Sequence, residues 1–541
     1  MEKKKRRMVL TAGDFQRPDE IAGALAFIAR HGIVTEGNLE TSLSEFRTAL
    51  RTKHLRHSQS ALRASTNPTP TTATTWEITA SGTYILDHDI VFDGSSAPTP
   101  TAILILASDV VLDLNGHSIT CVFPGLAPGA VKPLVFGIIV LLSERTRIVN
   151  GCIHGFSAGG ILVALSRFIR LECLRICHTS YNDPVSNLIN VAALSCELAA
   201  DLQIFDCVFA DGHLVAGTLN GCYFLSCDRA IVKGCVSEDN FNEGGPINGF
   251  ASFLCSDIHY DTCLSQRNGS GTGNALTAGA HTASGYLLNL STACTLVSCE
   301  AHHIEGAIDD CHGFPIFICP SGIHLLSCKT SHIRSGFNET TNTGAKATGF
   351  EMDITSNSSV VDCEAWEVVA RNPEDKQCAG FSSGRCDNVV FERCTSTCNS
   401  VVLDLAGATG LSYGFAWAPD PRPAFFGPAV QIRFLECVGC DNDVGLGLFE
   451  HHSGFANRCS FSNNRVYGVY NPAEPLVISC NPATECNPPI QAIIPNTSQN
   501  NLVFECLITG NGVANIADTT PPSANNLYVS NSFEDECSYL D

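Results

Sequence analysis

The sequence predicts an all-β chain: one long right-handed parallel β-helix over residues 71–515, behind a short α-helical N-terminal region and ahead of a C-terminal cap at 516–541. Three observations predict it. Short apolar runs broken by turn residues fill the chain from Trp76 onward, with a period of about 21–36 residues, which suits stacked coils. A small residue followed by an apolar or aromatic one recurs, and a Cys follows the second residue thirteen positions later. Five residues beyond that Cys an Asn recurs.

The N-terminal region comes first. Pro18, Asp19 and Glu20 make a helix start, with Ile21, Leu25 and Ile28 on one face. After Gly32 a second helix is expected over 40–57, with Leu43, Phe46 and Leu50 opposite Arg47, Arg51 and Lys53. Thr and Pro dominate residues 65–72, a linker composition. Residues 1–70 hold 12 Lys/Arg against 7 Asp/Glu and the remainder 20 against 47, so a basic start (Lys3, Lys4, Lys5, Arg6, Arg7) precedes an acidic body. That body argues against nucleic acid as the main partner.

The repeat fills the rest. Phe250 leads to Cys263, Tyr286 to Cys299, Phe350 to Cys363, Phe381 to Cys394 and Leu446 to Cys459, and Cys222 to Cys235 keeps the spacing. Gly160-Ile161 to Cys173 is one residue shorter, and Phe314 to Cys328 one longer. Stacked coils bring equivalent residues about 4.8 Å apart. Cys is small and apolar enough to fill an inward column. Asn240, Asn268, Asn399, Asn442, Asn464 and Asn511 fall at a bend, where Asn tolerates the left-handed conformation and its amide bonds to the amides above and below. Ile304, Ile333 and Val368 take the same place in three other units.

The 28 cysteines are expected to be mostly free and buried. No apolar leader follows Arg7, and no run of apolar residues reaches membrane-spanning length, the longest being 135–142. The chain is therefore expected in a reducing setting, cytoplasmic or associated with a virus particle. Only Cys437 and Cys440 have zinc-like spacing, and no second pair accompanies them, so no metal and no cofactor are expected.

The segment Val110, Val111, Leu112, Asp113, Leu114, Asn115, Gly116, His117, Ser118, Ile119, then Gly137, Ile138, Ile139, Val140, then Ile148, Val149, Asn150, Gly151, Cys152, Ile153, resembles the opening coils of pectate-lyase-like right-handed β-helix proteins. It is similar in particular to the group with NosD-type parallel β-helix repeats. The resemblance covers roughly residues 76–515 and implies the fold. It does not imply an activity, because lyases, inverting hydrolases, epimerases, tailspikes and non-catalytic surface proteins share the pattern. Of the motifs such hydrolases carry, only Asp309-Asp310 followed by His312 has a likeness here; the Gly-His-Gly and Arg-x-Lys elements and the epimerase Asp-Pro-His-Glu signature are missing.

Insertions cluster. They fall between the Asn column and the next Gly-aromatic pair, with gaps of 9, 17, 9, 16, 12 and 15 residues in the middle units and only 3 and 4 in the last. One edge of the solenoid thus carries the long loops, where per-repeat insertions build a binding face. Glu243, Asn274, His281, Arg334, Arg371 and Asp404 are the candidate binding residues. Asp309, Asp310, His312 and Glu305 are the candidate catalytic group: two carboxylates beside an imidazole, bracketed by Gly306 and Gly313.

Two function classes remain. The first is a non-catalytic structural or recognition protein, a rigid rod whose loop-rich edge binds a partner such as a polysaccharide, as a virion or assembly component docked through its N-terminal region and associating as a trimer. The alternative is a polysaccharide lyase or inverting glycoside hydrolase whose carboxylates line a groove on the same edge.

Overall fold

The computed structural model describes residues 75–531, except 96–99, 128–129, 183–189, 272–281, 307–309, 337–345, 372–377, 385, 404–409, 418–428, 449–450, 453, 472–475, 480–490, 495–500, 510, 512–513, 519–525 and 530. The expected N-terminal helices and linker and the last ten residues lie outside them. Regular structure among the described residues is all strand.

The chain is a right-handed parallel β-helix. One sheet takes a single strand from each of fifteen coils, from Trp76–Ile78 to Ala514–Asp518, each parallel to the next. The other strands of each coil, such as Asp228–Lys233 and Val236–Glu238, pair in parallel along a second surface wrapped around the remaining sides. The last strand of that surface is Leu527–Val529. One antiparallel pair occurs among the described residues, Leu476–Ser479 with Gln491–Ile494, inserted between the last coils.

Strand composition explains which surface each strand joins. Fifteen-strand members such as Gly159–Ala164 and Cys378–Ser383 are buried along their whole length. Second-surface strands such as Ser256–Asp261 alternate half-exposed and buried residues, the period-two pattern of a half-buried strand. Inside, the recurrent apolar residue forms one column: Cys222, Phe250, Tyr286, Phe314, Phe350, Phe381, Phe415 and Leu446. From Phe250 to Phe415 successive rings stack with centroids 4.7–5.0 Å apart, at interplanar angles of 9° or less. The preceding glycine is required by space. A β-carbon at Gly313 would overlap the Thr330 hydroxyl, and one at Gly380 the Ser396 hydroxyl.

The cysteines fill a second column. Cys207, Cys235, Cys263, Cys299, Cys328, Cys363, Cys394, Cys437, Cys459 and Cys506 each precede strand residues that pair in register coil after coil, and all are buried. All described cysteines are free, and all but four are buried. Cys173 departs from the expected column. It is exposed with φ 52°, and Leu174, thirteen residues after Ile161, is the buried residue. The unit therefore keeps the thirteen-residue spacing, with Leu174 in place of a cysteine. The unit starting at Phe314 is one longer because a turn through Gly322, at φ 71°, takes up an extra residue before Ile323.

The asparagines are inside rather than in the left-handed conformation. That backbone belongs to the residue before each of them: Asp239, Arg267, Cys398, Asp441 and Asn463, with φ of 50–58°. The turn swings the asparagine inward, where Asn240, Asn268, Asn399, Asn442 and Asn464 are buried and their amides chain together. Nδ2 of Asn240 donates to Oδ1 of Asn268 at 2.9 Å, and Nδ2 of Asn399 to Oδ1 of Asn442 at 2.9 Å. A buried amide must be bonded, and an inward orientation is what allows it.

Candidate functional site

The long insertions precede the fifteen-strand sheet, so their bases lie along its leading edge. Asp309, Asn274, His281 and Asp404 lie outside the described residues. Asp310 is at the base of its loop, where Oδ1 accepts the backbone N–H of Lys346 at 2.9 Å. His312 opens the next strand, Cys311–Phe317, and is 4% exposed.

His312 faces a cluster on the outer side of the sheet. Its Nδ1 lies 2.8 Å from Glu351 Oε2 and 2.5 Å from the Thr348 hydroxyl. Lys346 Nζ pairs with the other carboxylate oxygen of Glu351. His312, Thr348 and Glu351 are all buried, and Lys346 is half-buried. Burial alone would push the Glu351 carboxyl up. The Lys346 ammonium and the His312 imidazole outweigh it and hold the carboxyl well below the usual carboxylate range. Burial likewise works against the Lys346 charge, but Glu351, Asp310 and Asp353 raise its pKa. The carboxylate is thus fixed as an anion and the amine as a cation. Neither is poised to exchange a proton near neutrality, and the group acts as a clamp between the neighbouring strands Cys311–Phe317 and Ala347–Asp353, each of which follows an insertion.

Glu305 is not part of this cluster. It belongs to Glu300–Gly306 on the second surface, is 58% exposed, and has Arg334 as its partner at 3.8 Å. Glu243 pairs with His213 at 3.1 Å. Arg371 ends Glu364–Arg371 and is half-buried. Three of these residues border one exposed strip. In register along it run His213, Phe241, Gly269, Glu305 and Arg334. Phe241 is 42% exposed, and its ring stands 6.1 Å from that of His213 at 29°. The ring lies across Gly269 and Gly271, where β-carbons would come within 3.6 and 2.9 Å of it. Side-chain-free backbone therefore lets the ring lie along the surface with polar pairs at both ends, His213 with Glu243 and Glu305 with Arg334.

Sequence reading missed Lys346, Glu351, Phe241 and His213. The available signal was Glu351 itself, a charge inside Ala347–Asp353, a strand with every residue buried.

No family model and no curated protein sequence matches the chain. Solved structures similar to it include the A-module of mannuronan C-5 epimerase AlgE6 from Azotobacter vinelandii, at 12% identity and TM-score 0.37, covering 84% of this chain and 91% of that one. The catalytic domain of a GH87 alpha-1,3-glucanase is 9% identical at TM-score 0.32, covering 92% of this chain and 68% of that one. The periplasmic alginate epimerase AlgG is 12% identical at TM-score 0.32, covering 81% and 79%. At such identities these proteins share coil architecture with the chain, and their activities do not carry over. Among the described residues no helix is long and apolar enough to cross a membrane.

Proposed function

We propose that the protein is a non-catalytic recognition rod that binds an extended glycan along the strip carrying Phe241. The observation behind this reading is the exposed Phe241 ring laid over Gly269 and Gly271 and flanked by the His213–Glu243 and Glu305–Arg334 pairs. A sugar ring presents a C–H face and a rim of hydroxyls. An aromatic platform takes the first and bonded polar pairs take the second. The basic N-terminal residues would dock the rod in an assembly such as a virus particle, and trimerisation would multiply the strip.

Calorimetric titration of the whole chain with neutral and acidic oligosaccharides tests the reading. A ligand should bind without being turned over, and Phe241→Ala should weaken it by roughly tenfold or more. Binding indifferent to that substitution, or none to any glycan, sinks it.

The second reading is a polysaccharide lyase or hydrolase. It is favoured by the position of Asp310 beside the Lys346–Glu351–His312 cluster, at the base of the insertions. Asp309 or Asp310 would then transfer the proton. Cleavage products from an acidic or neutral polysaccharide, lost in Asp309→Asn or Asp310→Asn, would establish it in place of the first.

A further inference from the structure

We propose that Cys177, His178 and Asp211, with Cys152 beside them, bind a zinc-type divalent cation on the second surface. The thiol sulfur, an imidazole nitrogen and a carboxylate oxygen of the first three all lie within 4.8 Å of one another. The Cys152 sulfur lies 4.0 Å from that of Cys177.

The backbone explains why the donors meet. Cys177 ends the strand Arg170–Cys177. Consecutive strand residues point to opposite faces, so His178 would ordinarily turn away from it. His178 instead adopts φ 54°, which breaks the alternation and puts imidazole and thiol together. Asp211 occupies the same turn one coil later at φ 55°, and the His178 N–H donates to the carbonyl of Ala210 just before it, at 3.1 Å. In the coil before, that turn position is Gly155, where no side chain covers the imidazole. Cys152 comes from that earlier coil, in register with Arg175.

The chemistry of the set selects the ligand. One sulfur, one nitrogen and one oxygen within 4.8 Å of one another, with a second sulfur 4.0 Å from the first, suit a borderline-soft cation, and zinc before calcium or magnesium. Zinc–sulfur bonds of about 2.3 Å at a tetrahedral angle place two sulfurs about 3.8 Å apart, close to the 4.0 Å between Cys152 and Cys177. A disulfide fits worse. Cys152 is paired two residues away from Cys177 on the neighbouring strand, which puts the Cα atoms about 8 Å apart, beyond the ~7 Å that a bridge spans. The surroundings are those of a held site. His154 pairs in register with Cys177 and has Nε2 on the Thr120 hydroxyl at 2.6 Å, and Arg175 reaches Asp211 Oδ2 at 3.4 Å. Nor does Cys177 belong to the interior cysteine column, where a thiol serves packing.

Sequence spacing conceals such a site. Its donors come from three successive coils, and the two cysteines stand 25 residues apart.

Cobalt titration of the full-length, metal-stripped, reduced protein is the test. One equivalent of cobalt should give thiolate charge-transfer and tetrahedral d–d absorption, and zinc should displace it. Cys177→Ser should abolish these bands, and Cys152→Ser and His178→Ala should weaken binding by roughly tenfold or more. Cys173→Ser and Cys398→Ser, at exposed thiols elsewhere, should leave the bands unchanged. Zinc should also raise the unfolding temperature of the wild type but not of His178→Ala, whose side chain is exposed and whose fold stays intact. Absence of stoichiometric cobalt binding, or bands that survive Cys177→Ser, would overturn the assignment.

Discussion

Glu351 carries a buried charge that the Lys346 ammonium, the His312 imidazole and the Thr348 hydroxyl make tolerable. Replacing it with Gln takes from the half-buried Lys346 ammonium its direct counter-ion and leaves only the more distant Asp310 and Asp353, a change that costs up to about 3 kcal/mol. Denaturant unfolding of Glu351→Gln at pH 7 should show that loss. The pH dependence has a definite sign. The folded carboxyl lies below its unfolded value, about 4.3, so its stabilisation is complete above about pH 5 and is withdrawn as pH falls through 4 toward the folded pKa. The wild type should therefore lose stability on acidification more steeply than Glu351→Gln, and equal slopes would refute the clamp. The residue was hard to see in sequence because its column otherwise holds Leu287, Pro315 and Ser382, and its lysine stands just outside the strand. His312 was legible as chemistry beside acidic residues, but the partner it finds comes from the next coil.

At the scale of the element, each turn before an inward asparagine joins one left-handed residue to one buried amide. Asn399 shows what the element needs. Its Oδ1 accepts the Val368 N–H at 3.2 Å, and its Nδ2 donates to Asn442 and to the carbonyl of Tyr413. Asn399→Ala strands the buried Val368 N–H, a loss worth about 1–3 kcal/mol, and leaves Asn442 Oδ1 with only the backbone N–H of residue 399. Equilibrium unfolding should place it well below the wild type. Asn511→Ala, at a half-buried terminal position, should fall less, and equal losses would deny the ladder its energetic role. The five-residue spacing made the element legible. The left-handed residue was assigned one position late because Asn is itself a good left-handed former, and burial overrode that preference. Cys173 was misplaced in the same way, its identity suggesting the interior and Leu174 taking it.

For the whole molecule, fifteen coils rising about 4.8 Å each give a rod about 70 Å long. Its architecture was legible because the middle coils repeat three demands: an apolar residue inside, a small residue before it and, in most of them, a thiol thirteen later. The strip proposed to bind was not, because Phe241, Glu305 and Arg334 belong to three coils and become neighbours only through register. The interior thiols predict a chemical signature. Burial pushes the Cys294 and Cys378 thiols up to about 12, so they stay protonated and unreactive. A thiol reagent should modify the exposed Cys173 and Cys398 first, then the half-buried Cys152 and Cys440, and reach the other described cysteines only after unfolding. Rapid modification of many thiols in the native protein would contradict the packed columns. The amide ladder adds a property of another kind. From Asn399 through Asn442 and Asn464 to Asn511, each Oδ1 accepts from the asparagine one coil before it and so faces the N-terminal end, while the Nδ2 groups of Asn442 and Asn464 donate both onward along the ladder and back to the Ser396 and Gly439 carbonyls. Their dipoles add instead of cancelling, and each bond polarises the next. Ile304, Ile333 and Val368 separate this run from the one at Asn240 and Asn268, so the rod holds two aligned stretches of axial polarisation, each positive toward the C-terminal coils. The solenoid, uniform in its hydrogen-bonded coils, therefore has an electrical sense of direction along its axis.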